Sequence, residues 1–345
     1  MRPIIGTQKT IFFTDTHFCR DLVKEDFLSQ GNTPLPLERL KMKKEDVILQ
    51  FRDGKRTARP NNRPINDNIF FRSFVMLFIL VAKYMIPPRY ARRYPFLVLP
   101  GLPFFLKYGN KATVNLEEAH LTRYAGKMLA GEHVKIPKVY CAFEKNGCRY
   151  ILLEKVKGQA LKHQWTHLSP QVREKVIQKV RSAVVCMQKS KRSIICGLED
   201  GPVFHPALPH NRMNDGECIG PFHTLTEFHK FMLDRHRGKW SYNDPKRTAN
   251  FDHDFLRSPW CSDVNNFTHA DLSPTNIMVD TKGRVAIVDW ETAGWWPSYM
   301  ENFMCRRYID EDWSRMGLIV GEMIPVKEAE RAMMIMFTYY FHEYW

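Results

Sequence analysis

Three polar side chains in one short segment have the types and the spacing that phosphoryl transfer requires. Asp271 follows His269 by two residues, and Asn276 comes five residues after Asp271. A carboxylate can orient an attacking hydroxyl and accept its proton, and an amide with a second carboxylate can hold Mg²⁺ against nucleotide phosphates. The second carboxylate belongs to Asp289, which stands directly after an apolar run.

A predicted β-hairpin brings these side chains together. The apolar runs 277–279 and 285–288 flank a Thr-Lys-Gly turn, and β-branched runs on either side of such a turn are typical of paired strands. A hairpin brings the residues before its first strand close to those after its second. We therefore expect Asp271, Asn276 and Asp289 to converge at one end of it.

The run from 267 to 301 resembles the aminoglycoside phosphotransferase and choline kinase-like superfamily, and its closest likeness is to the large fungal branch of that group. His269-x-Asp271 followed by Asn276 resembles the catalytic loop of kinases, and Asp289-Trp-Glu stands where protein kinases have Asp-Phe-Gly. That difference favours the small-molecule kinases. The resemblance implies an α+β, protein kinase-like bilobal fold, with a small N-lobe that contains an antiparallel sheet and a larger, mostly helical C-lobe.

The resemblance also identifies residues that would hold ATP. In this superfamily a Lys near the end of a strand contacts the α- and β-phosphates, and Lys107 fits that place in the apolar run 104–107. The superfamily's Glu-Ala pair aligns best with Glu118 and Ala119, so Glu118 would pair with Lys107 and fix its ammonium group. Glu117 is the alternative partner.

The hinge between the lobes is expected at the end of the predicted strand 149–154. By the same resemblance, backbone groups of Glu154, Lys155 and Val156 would pair with the adenine edge. Gly158 would let the chain turn after the hinge, because glycine adopts backbone angles that other residues avoid. An ordinary strand followed by a loop is the alternative interpretation.

The activity that the resemblance implies is ATP-dependent, Mg²⁺-assisted transfer of a phosphoryl group to a hydroxyl of a small molecule. Asp271 would act as the base or orient the acceptor, His269 would orient the loop, and the metal ligands would be Asn276 and Asp289. ATP and Mg²⁺ are the expected cofactors, and a small-molecule acceptor is the expected partner. The alternatives are a non-catalytic, pseudokinase-like binding module and a kinase that works at a membrane surface.

Two residues and one missing motif depart from the superfamily's pattern. Ala270 stands where Gly is usual, and Thr275 stands where the fungal branch commonly has Arg. No Gly-x-Gly-x-x-Gly precedes Lys107, so the phosphate-clamping loop is not located. The alanine costs little unless its position requires a positive φ. The predicted base and metal ligands are unaffected.

The 345-residue chain is strongly basic, with a formal net charge of +14. A positive net charge favours binding of nucleotide phosphates, and it also favours binding to nucleic acid or to an anionic membrane surface. No nucleic-acid motif accompanies the charge, so we expect no nucleic-acid partner. The eight cysteines form no Cys-x-x-Cys pair and no apolar leader follows Met1, which predicts free thiols in a cytoplasmic protein.

The predicted domain organisation has three parts. A poorly assigned N-terminal extension covers 1–65, a nucleotide-binding N-lobe covers 66–154, and a C-lobe with the catalytic loop and the acceptor site covers 155–345. Within the C-lobe, Ser169 as N-cap and Pro170 at the first helical position predict the start of a helix. The sequence identifies neither the acceptor substrate nor the oligomeric state.

The apolar run 69–86 is too short for a bilayer span, which needs about 20 residues. It therefore predicts a core helix and no stable membrane insertion. A membrane-surface helix is the alternative, because Arg89, Arg92 and Arg93 follow the run.

Overall fold

The structure, a computed structural model, describes residues 62–85, 96–205, 218–237 and 264–307. All of them belong to one compact unit, Thr57–Met334. Most of the predicted N-terminal extension lies outside the described residues, and so do the arginines at 89, 92 and 93.

The described chain contains helices and short strands. The helices are α1 (Ile69–Met85), α2 (Glu117–Met128), α3 (Leu161–Gln164), α4 (Pro170–Gln188), α5 (Leu225–Arg237) and α6 (Met300–Arg307). The strands are β1 (Phe96–Val98), β2 (Phe104–Gly109), β3 (Val134–Lys135), β4 (Val139–Lys145), β5 (Cys148–Glu154), β6 (Gln159–Ala160), β7 (Lys191–Arg192), β8 (Asn265–Thr268), β9 (Ile277–Val279), β10 (Val285–Ile287) and β11 (Gly294–Pro297). Single 3₁₀ turns occur at Trp165–His167 and Leu198–Asp200.

The N-lobe is built on an antiparallel sheet with the strand order β1-β2-β5-β4. Successive side chains of a strand point to opposite faces, so each strand contributes to two apolar layers. Phe143 and Leu152 pack with residues of α1 on one face, whereas Ala142 and Ile151 pack with Ala119 of α2 on the other. The sheet is thus held between two helices, and α2 supplies the predicted partner of Lys107.

Helix α1 only partly fits the expected core helix. Its buried residues are Val75, Phe78 and Ala82, which pack in the N-lobe core. The opposite face is exposed although it is apolar, with Tyr84 at 86% and Ile69 at 80% exposure. The prediction of a core helix is therefore right for one face and wrong for the other. Within the described residues, no helix is both long and apolar enough to cross a membrane.

Helix α4 begins where its sequence predicts. The Val172 N–H donates to Ser169 Oγ over 3.4 Å, and Pro170 occupies the first turn, where its missing N–H has no helical partner to lose. The stripe that includes Val176 and Val180 is fully buried in the C-lobe core together with residues of the hairpin β9–β10. This packing fixes the position of the hairpin β9–β10.

The predicted hairpin is present as β9 and β10, which pair antiparallel. It forms the centre of a sheet with the order β3-β10-β9-β6, so that β3, from the predicted N-lobe range, lies parallel to β10. Gly158 has a φ of +110°, and a Cβ at this position would lie 2.5 Å from the Val279 carbonyl oxygen. Glycine is therefore required at this position, four residues after the end of β5. The two lobes together give the α+β, kinase-like bilobal fold.

Candidate active site

The hairpin sets Asn276 and Asp289 side by side. Ile277 pairs with Ile287, and beyond that pair the Val288 N–H donates to the Asn276 carbonyl over 2.9 Å. The strand ends therefore place the two predicted metal ligands at the same end of the hairpin.

Lys107 joins this end of the hairpin to the N-lobe. Its Nζ lies 2.6 Å from Asp289 Oδ1, and it lies 2.8 and 2.9 Å from the two carboxylate oxygens of Glu118. The Glu118 side chain is 1% exposed and the Lys107 side chain 17%. One ammonium group is thus held between a carboxylate of helix α2 and a carboxylate of the catalytic segment.

The choice between the two adjacent glutamates of α2 is decided by geometry. Glu117 does not face Lys107: its Oε1 accepts a hydrogen bond from the Leu198 N–H over 3.3 Å, and the residue is buried. Residues one apart on a helix do not share a face. The partner of Lys107 is therefore Glu118, as the resemblance implies, and the alternative is excluded.

The ionisable groups of this cluster shift one another's pKa values. Burial alone would lower the pKa of Lys107, but the carboxylates of Asp289 and Glu118 raise it above its usual range. Burial would likewise raise the pKa of Asp289, and the Lys107 ammonium instead holds it below the usual value. Burial raises the pKa of Glu118 to about 7, against the opposing effect of Lys107. We conclude that Lys107 is charged and that Asp289 is ionised.

Glu291 is a member of the cluster that sequence reasoning missed. Carboxylate oxygens of Glu118, Asp289 and Glu291 all lie within 4.8 Å of one another. Burial raises the pKa of Glu291 to about 8, and the negative charge of Asp289 adds to the effect. Three carboxyl groups thus meet one ammonium group, and the raised pKa of Glu291 means that this carboxyl stays largely protonated near pH 7 while no further cation is present. A divalent cation would favour its ionised form, so the setting suits such an ion. Its place two residues after Asp289 was the available sequence signal.

The predicted base is held by the predicted metal ligand. Asn276 Nδ2 donates to the Asp271 carboxylate oxygen Oδ2 over 2.9 Å and to the Asp271 carbonyl over 2.8 Å. These two bonds fix the direction of the carboxylate. They also use the nitrogen of the Asn276 amide, so its oxygen is the atom that can face a cation.

His269 lies inside the protein, against the backbone of the segment that contains Asp271. It is fully buried, and burial lowers its pKa to about 4, so the ring is neutral at pH 7. Its Nε2 donates to the Val288 carbonyl over 3.0 Å, and its Nδ1 accepts from the Asp271 N–H at 3.3 Å. Both ring nitrogens are therefore bonded to backbone on either side of the hairpin. This arrangement fits the predicted orienting role.

Glu301 is a second residue that sequence reasoning missed. It lies in α6, and its Oε2 accepts hydrogen bonds from the His269 N–H at 2.7 Å and the Ala270 N–H at 3.4 Å. The carboxyl group is buried, and burial raises its pKa to about 7. Thr292 Oγ1 donates to the His269 carbonyl over 2.8 Å. The backbone before Asp271 is thus fixed by side chains from later in the sequence.

Ala270 has a φ of +62°, a left-handed conformation that favours glycine. Two hydrogen bonds hold this conformation. His205 Nε2 donates to the Ala270 carbonyl over 2.8 Å, and the Ala270 N–H donates to the Glu301 carboxyl group. Alanine in place of the superfamily's glycine therefore destabilises the folded state by about 1 kcal/mol.

Of the three predicted hinge residues, Glu154 is the last residue of β5 and Lys155 and Val156 follow it, and the backbone N–H groups of Glu154 and Lys155 are already hydrogen-bonded. The Glu154 N–H donates to the Lys138 carbonyl over 2.8 Å, and the Lys155 N–H donates to the Pro103 carbonyl over 2.9 Å. The Glu154 side chain forms an ion pair with Lys135. Of the amides in this segment, that of Val156 is the better candidate for an adenine contact.

Comparison with known proteins identifies one family. The model of the phosphotransferase enzyme family matches residues 91–321, which is more than half of the chain. No curated protein gives a significant match.

The chain is also similar to solved structures of low identity. One is a thermostable mutant of the aminoglycoside phosphotransferase APH(4)-Ia in ternary complex with AMP-PNP and hygromycin B, with 19% identity and a TM-score of 0.46 over 70% of this chain and 78% of that chain. A second is APH(2")-IIa in complex with gentamicin, with 14% identity and a TM-score of 0.43 over 67% and 73% of the two chains. A third is the macrolide 2'-phosphotransferase MphH from Brachybacterium faecium, with 15% identity and a TM-score of 0.41 over 68% and 75%.

Proposed function

The chain belongs to the phosphotransferase enzyme family, and on that premise we propose that it transfers the γ-phosphoryl group of ATP to a hydroxyl of a small molecule, with Mg²⁺ as cofactor. The observation that carries the proposal is the position of Lys107 between Glu118 and Asp289. An ammonium group braced by one buried carboxylate and facing a second one at a hairpin end is an arrangement suited to nucleotide phosphates.

Each residue then has a defined role. Lys107, braced by Glu118, contacts the phosphates of ATP. Asp271, whose carboxylate is directed by the Asn276 amide, orients the acceptor hydroxyl and takes its proton. As the acceptor oxygen forms a bond to the γ-phosphorus, the bond from that phosphorus to the β–γ bridging oxygen breaks and ADP leaves. Most of the rate enhancement comes from positioning and charge stabilisation.

The residues present fit a magnesium site. Asn276 and Asp289 would hold the ion, and Glu291 lies close enough to Asp289 to join them. When bound, Mg²⁺ supplies positive charge against the phosphates. The adenine base would lie against the hinge of Glu154, Lys155 and Val156, with the contacts at Glu154 and Lys155 made through their carbonyl groups or side chains.

The first test is nucleotide binding by the full chain, measured as thermal unfolding with ATP, with and without Mg²⁺. A ligand that binds only the native state raises stability by mass action, by about 2.7 kcal/mol at 100 times its Kd. We expect a Mg²⁺-dependent rise that is lost in Asp289→Ala. The matched control is Glu174→Gln, which changes an exposed carboxylate of α4 outside the site.

The second test separates an enzyme from a binding module. The wild-type chain is incubated with Mg·ATP and a panel of hydroxyl-bearing small molecules, and phosphorylated products are detected by mass spectrometry. Transfer to any member that is lost in Asp271→Asn supports the proposal. ATP binding without transfer across a broad panel would favour the non-catalytic module, and the absence of any ATP effect on unfolding would contradict both.

A further inference from the structure

The first turn of α2 has contacts with both lobes. Glu117 and Glu118 are adjacent in this turn, and both are buried although they face different partners. Glu118 contacts Lys107 of β2, whereas the Glu117 Oε1 accepts a hydrogen bond from the Leu198 N–H of the C-lobe over 3.3 Å. Two neighbouring carboxyl groups therefore join one helical turn to the N-lobe sheet and to the C-lobe.

The backbone next to Leu198 leaves room for the Glu117 carboxyl group. A Cβ at Gly197 would lie 2.8 Å from Glu117 Oε1 and 2.5 Å from the Pro202 carbonyl oxygen, so a larger residue would displace one of them. The carboxyl group thus lies directly against the peptide between Gly197 and Leu198. This close approach and the hydrogen bond both place Glu117 on the turn 197–201.

The turn 197–201 is closed by its own backbone. The Gly197 N–H donates to the Gly201 carbonyl over 2.8 Å, and the Gly201 N–H donates to the Leu198 carbonyl over 2.9 Å. Glu199 and Asp200 have φ values of +53° and +57°. Such left-handed conformations cost energy in residues other than glycine, and they persist where the surrounding contacts fix them. The turn is therefore a fixed attachment point for α2.

Further contacts join the turn 197–201 to the strands beside the catalytic segment. Cys196, which precedes the turn, exchanges two backbone hydrogen bonds with Trp295 of β11, at 2.9 and 3.2 Å. Asp200 forms an ion pair with Arg192, whose guanidinium carbon lies 4.0 Å from the centroid of the Trp295 ring. β11 pairs with β8, which ends three residues before Asp271. The turn is thus attached to the sheet that leads into the predicted base.

We propose that Glu117 is a positioning residue for phosphoryl transfer, which fixes the first turn of α2 on the C-lobe and so keeps Glu118 against Lys107. The first N–H groups of a helix lack partners one turn earlier, and the N-cap residue Leu116 has an apolar side chain that cannot supply one. The Glu117 N–H donates to Asn115 Oδ1 instead, over 3.1 Å. Contacts from outside the helix therefore contribute to the direction of this turn. The inference rests on the proposed function, because its readout is the affinity for ATP.

The hydrogen bond of Glu117 can be separated from its charge. Glu117→Gln removes the charge but keeps the length of the side chain and an oxygen that can accept the Leu198 N–H. Glu117→Asp keeps a carboxyl group but is one methylene too short to reach that N–H. We expect Glu117→Asp and Glu117→Ala to weaken binding of Mg·ATP by about three- to ten-fold, the range that corresponds to one hydrogen bond. Glu117→Gln should restore binding to within about two-fold of the wild type.

The experiment is titration calorimetry of the full chain with Mg·ATP, in which Glu117→Asp is also measured in a Glu118→Gln background. If Glu117 acts through Glu118, the added substitution should change the affinity there by less than about two-fold, because the charged brace has already been removed. A loss that came only from damage to the fold would be as large in both backgrounds. The matched control is Arg123→Ala, at an exposed position of α2, which should bind ATP as the wild type does.

Thermal unfolding of each variant is followed in parallel, and the titrations are made below the unfolding transition. If Glu117→Ala does not fold, Glu117→Asp carries the test, because it keeps the carboxyl group and fills most of the same space. Wild-type affinity in Glu117→Asp, an equal loss in Glu117→Gln or in Arg123→Ala, or an equal loss in both Glu118 backgrounds would overturn the inference. Failure of the wild-type chain to bind ATP would overturn the proposed function, and this inference with it.

Discussion

Lys107 Nζ lies 2.6 Å from Asp289 Oδ1, although the two residues are 182 positions apart in the sequence. The contact links the N-lobe sheet to the end of the hairpin β9–β10. Because Lys107 also contacts Glu118 of α2, the position of its ammonium group is set by residues of both lobes.

Glu118→Gln should weaken ATP binding by about ten-fold, which corresponds to about 1.4 kcal/mol. The substitution removes the negative charge that braces Lys107 while preserving the size of the side chain. Glu117→Gln is the matched control on the same helix, since Glu117 contacts the Leu198 N–H and not Lys107. Titration calorimetry with Mg·ATP measures both variants, and equal losses would show that Lys107 needs no brace.

Asp271→Asn should lower the turnover number by about 10²–10⁴-fold and leave the affinity for ATP almost unchanged. The reason is that Asp271 faces the acceptor, while Lys107 and Asp289 face the nucleotide in the proposed arrangement. Steady-state kinetics on the acceptor found in the screen, together with ATP titration of the same variant, give the two quantities. A variant that lost ATP binding and turnover in parallel would assign Asp271 to the nucleotide instead.

Two glycine substitutions should change stability in opposite directions. Gly158→Ala places a Cβ 2.5 Å from the Val279 carbonyl oxygen at a φ of +110°, so it should destabilise the protein by about 3 kcal/mol. Gly126→Ala lies within α2 and meets only Ile136 at 3.8 Å, so it should stabilise the protein by about 0.5–1 kcal/mol. Chemical denaturation of both variants measures the difference, and a stable Gly158→Ala would mean that the hinge can move away from β9.

The parts of the site that the sequence predicts are those set by local chemistry. The turn between β9 and β10 forces Asn276 and Asp289 together, and the N-cap at Ser169 starts α4, because neither depends on distant contacts. The pairing of Lys107 with Glu118 crosses the N-lobe, and only the resemblance to a family indicated it.

The parts that could not be predicted depend on tertiary contacts. Glu301 stands 32 positions after His269 in a helix whose sequence gives no sign of a buried carboxylate. The positive φ of Ala270 is imposed by Glu301 and His205 from outside the loop. The exposure of one face of α1 could not be predicted either. An apolar run shows which residues a helix could bury, but not how many of them other elements cover.

Glu301 should make the stability of the protein depend on pH. Its carboxyl group ionises near 4.5 in an unfolded chain, but burial raises its pKa to about 7 in the folded state. Between these values the unfolded state binds fewer protons than the folded state, so the contribution of Glu301 is fully present below about 4.5 and is lost as the pH rises through about 7. The difference between the two pKa values corresponds to on the order of 3 kcal/mol.

Glu301→Gln isolates this contribution, because glutamine can still accept the His269 and Ala270 N–H groups but does not titrate. Denaturation from pH 5 to pH 8 should show the variant gaining stability relative to the wild type as the pH rises. The comparison has to be made as a difference, because His269 titrates with the opposite sign: burial lowers its pKa to about 4, so its contribution is lost as the pH falls below about 6.5. His269 is unchanged in the variant and cancels. Parallel curves for the two proteins would show that the Glu301 carboxyl is ionised throughout and holds the catalytic loop as a carboxylate.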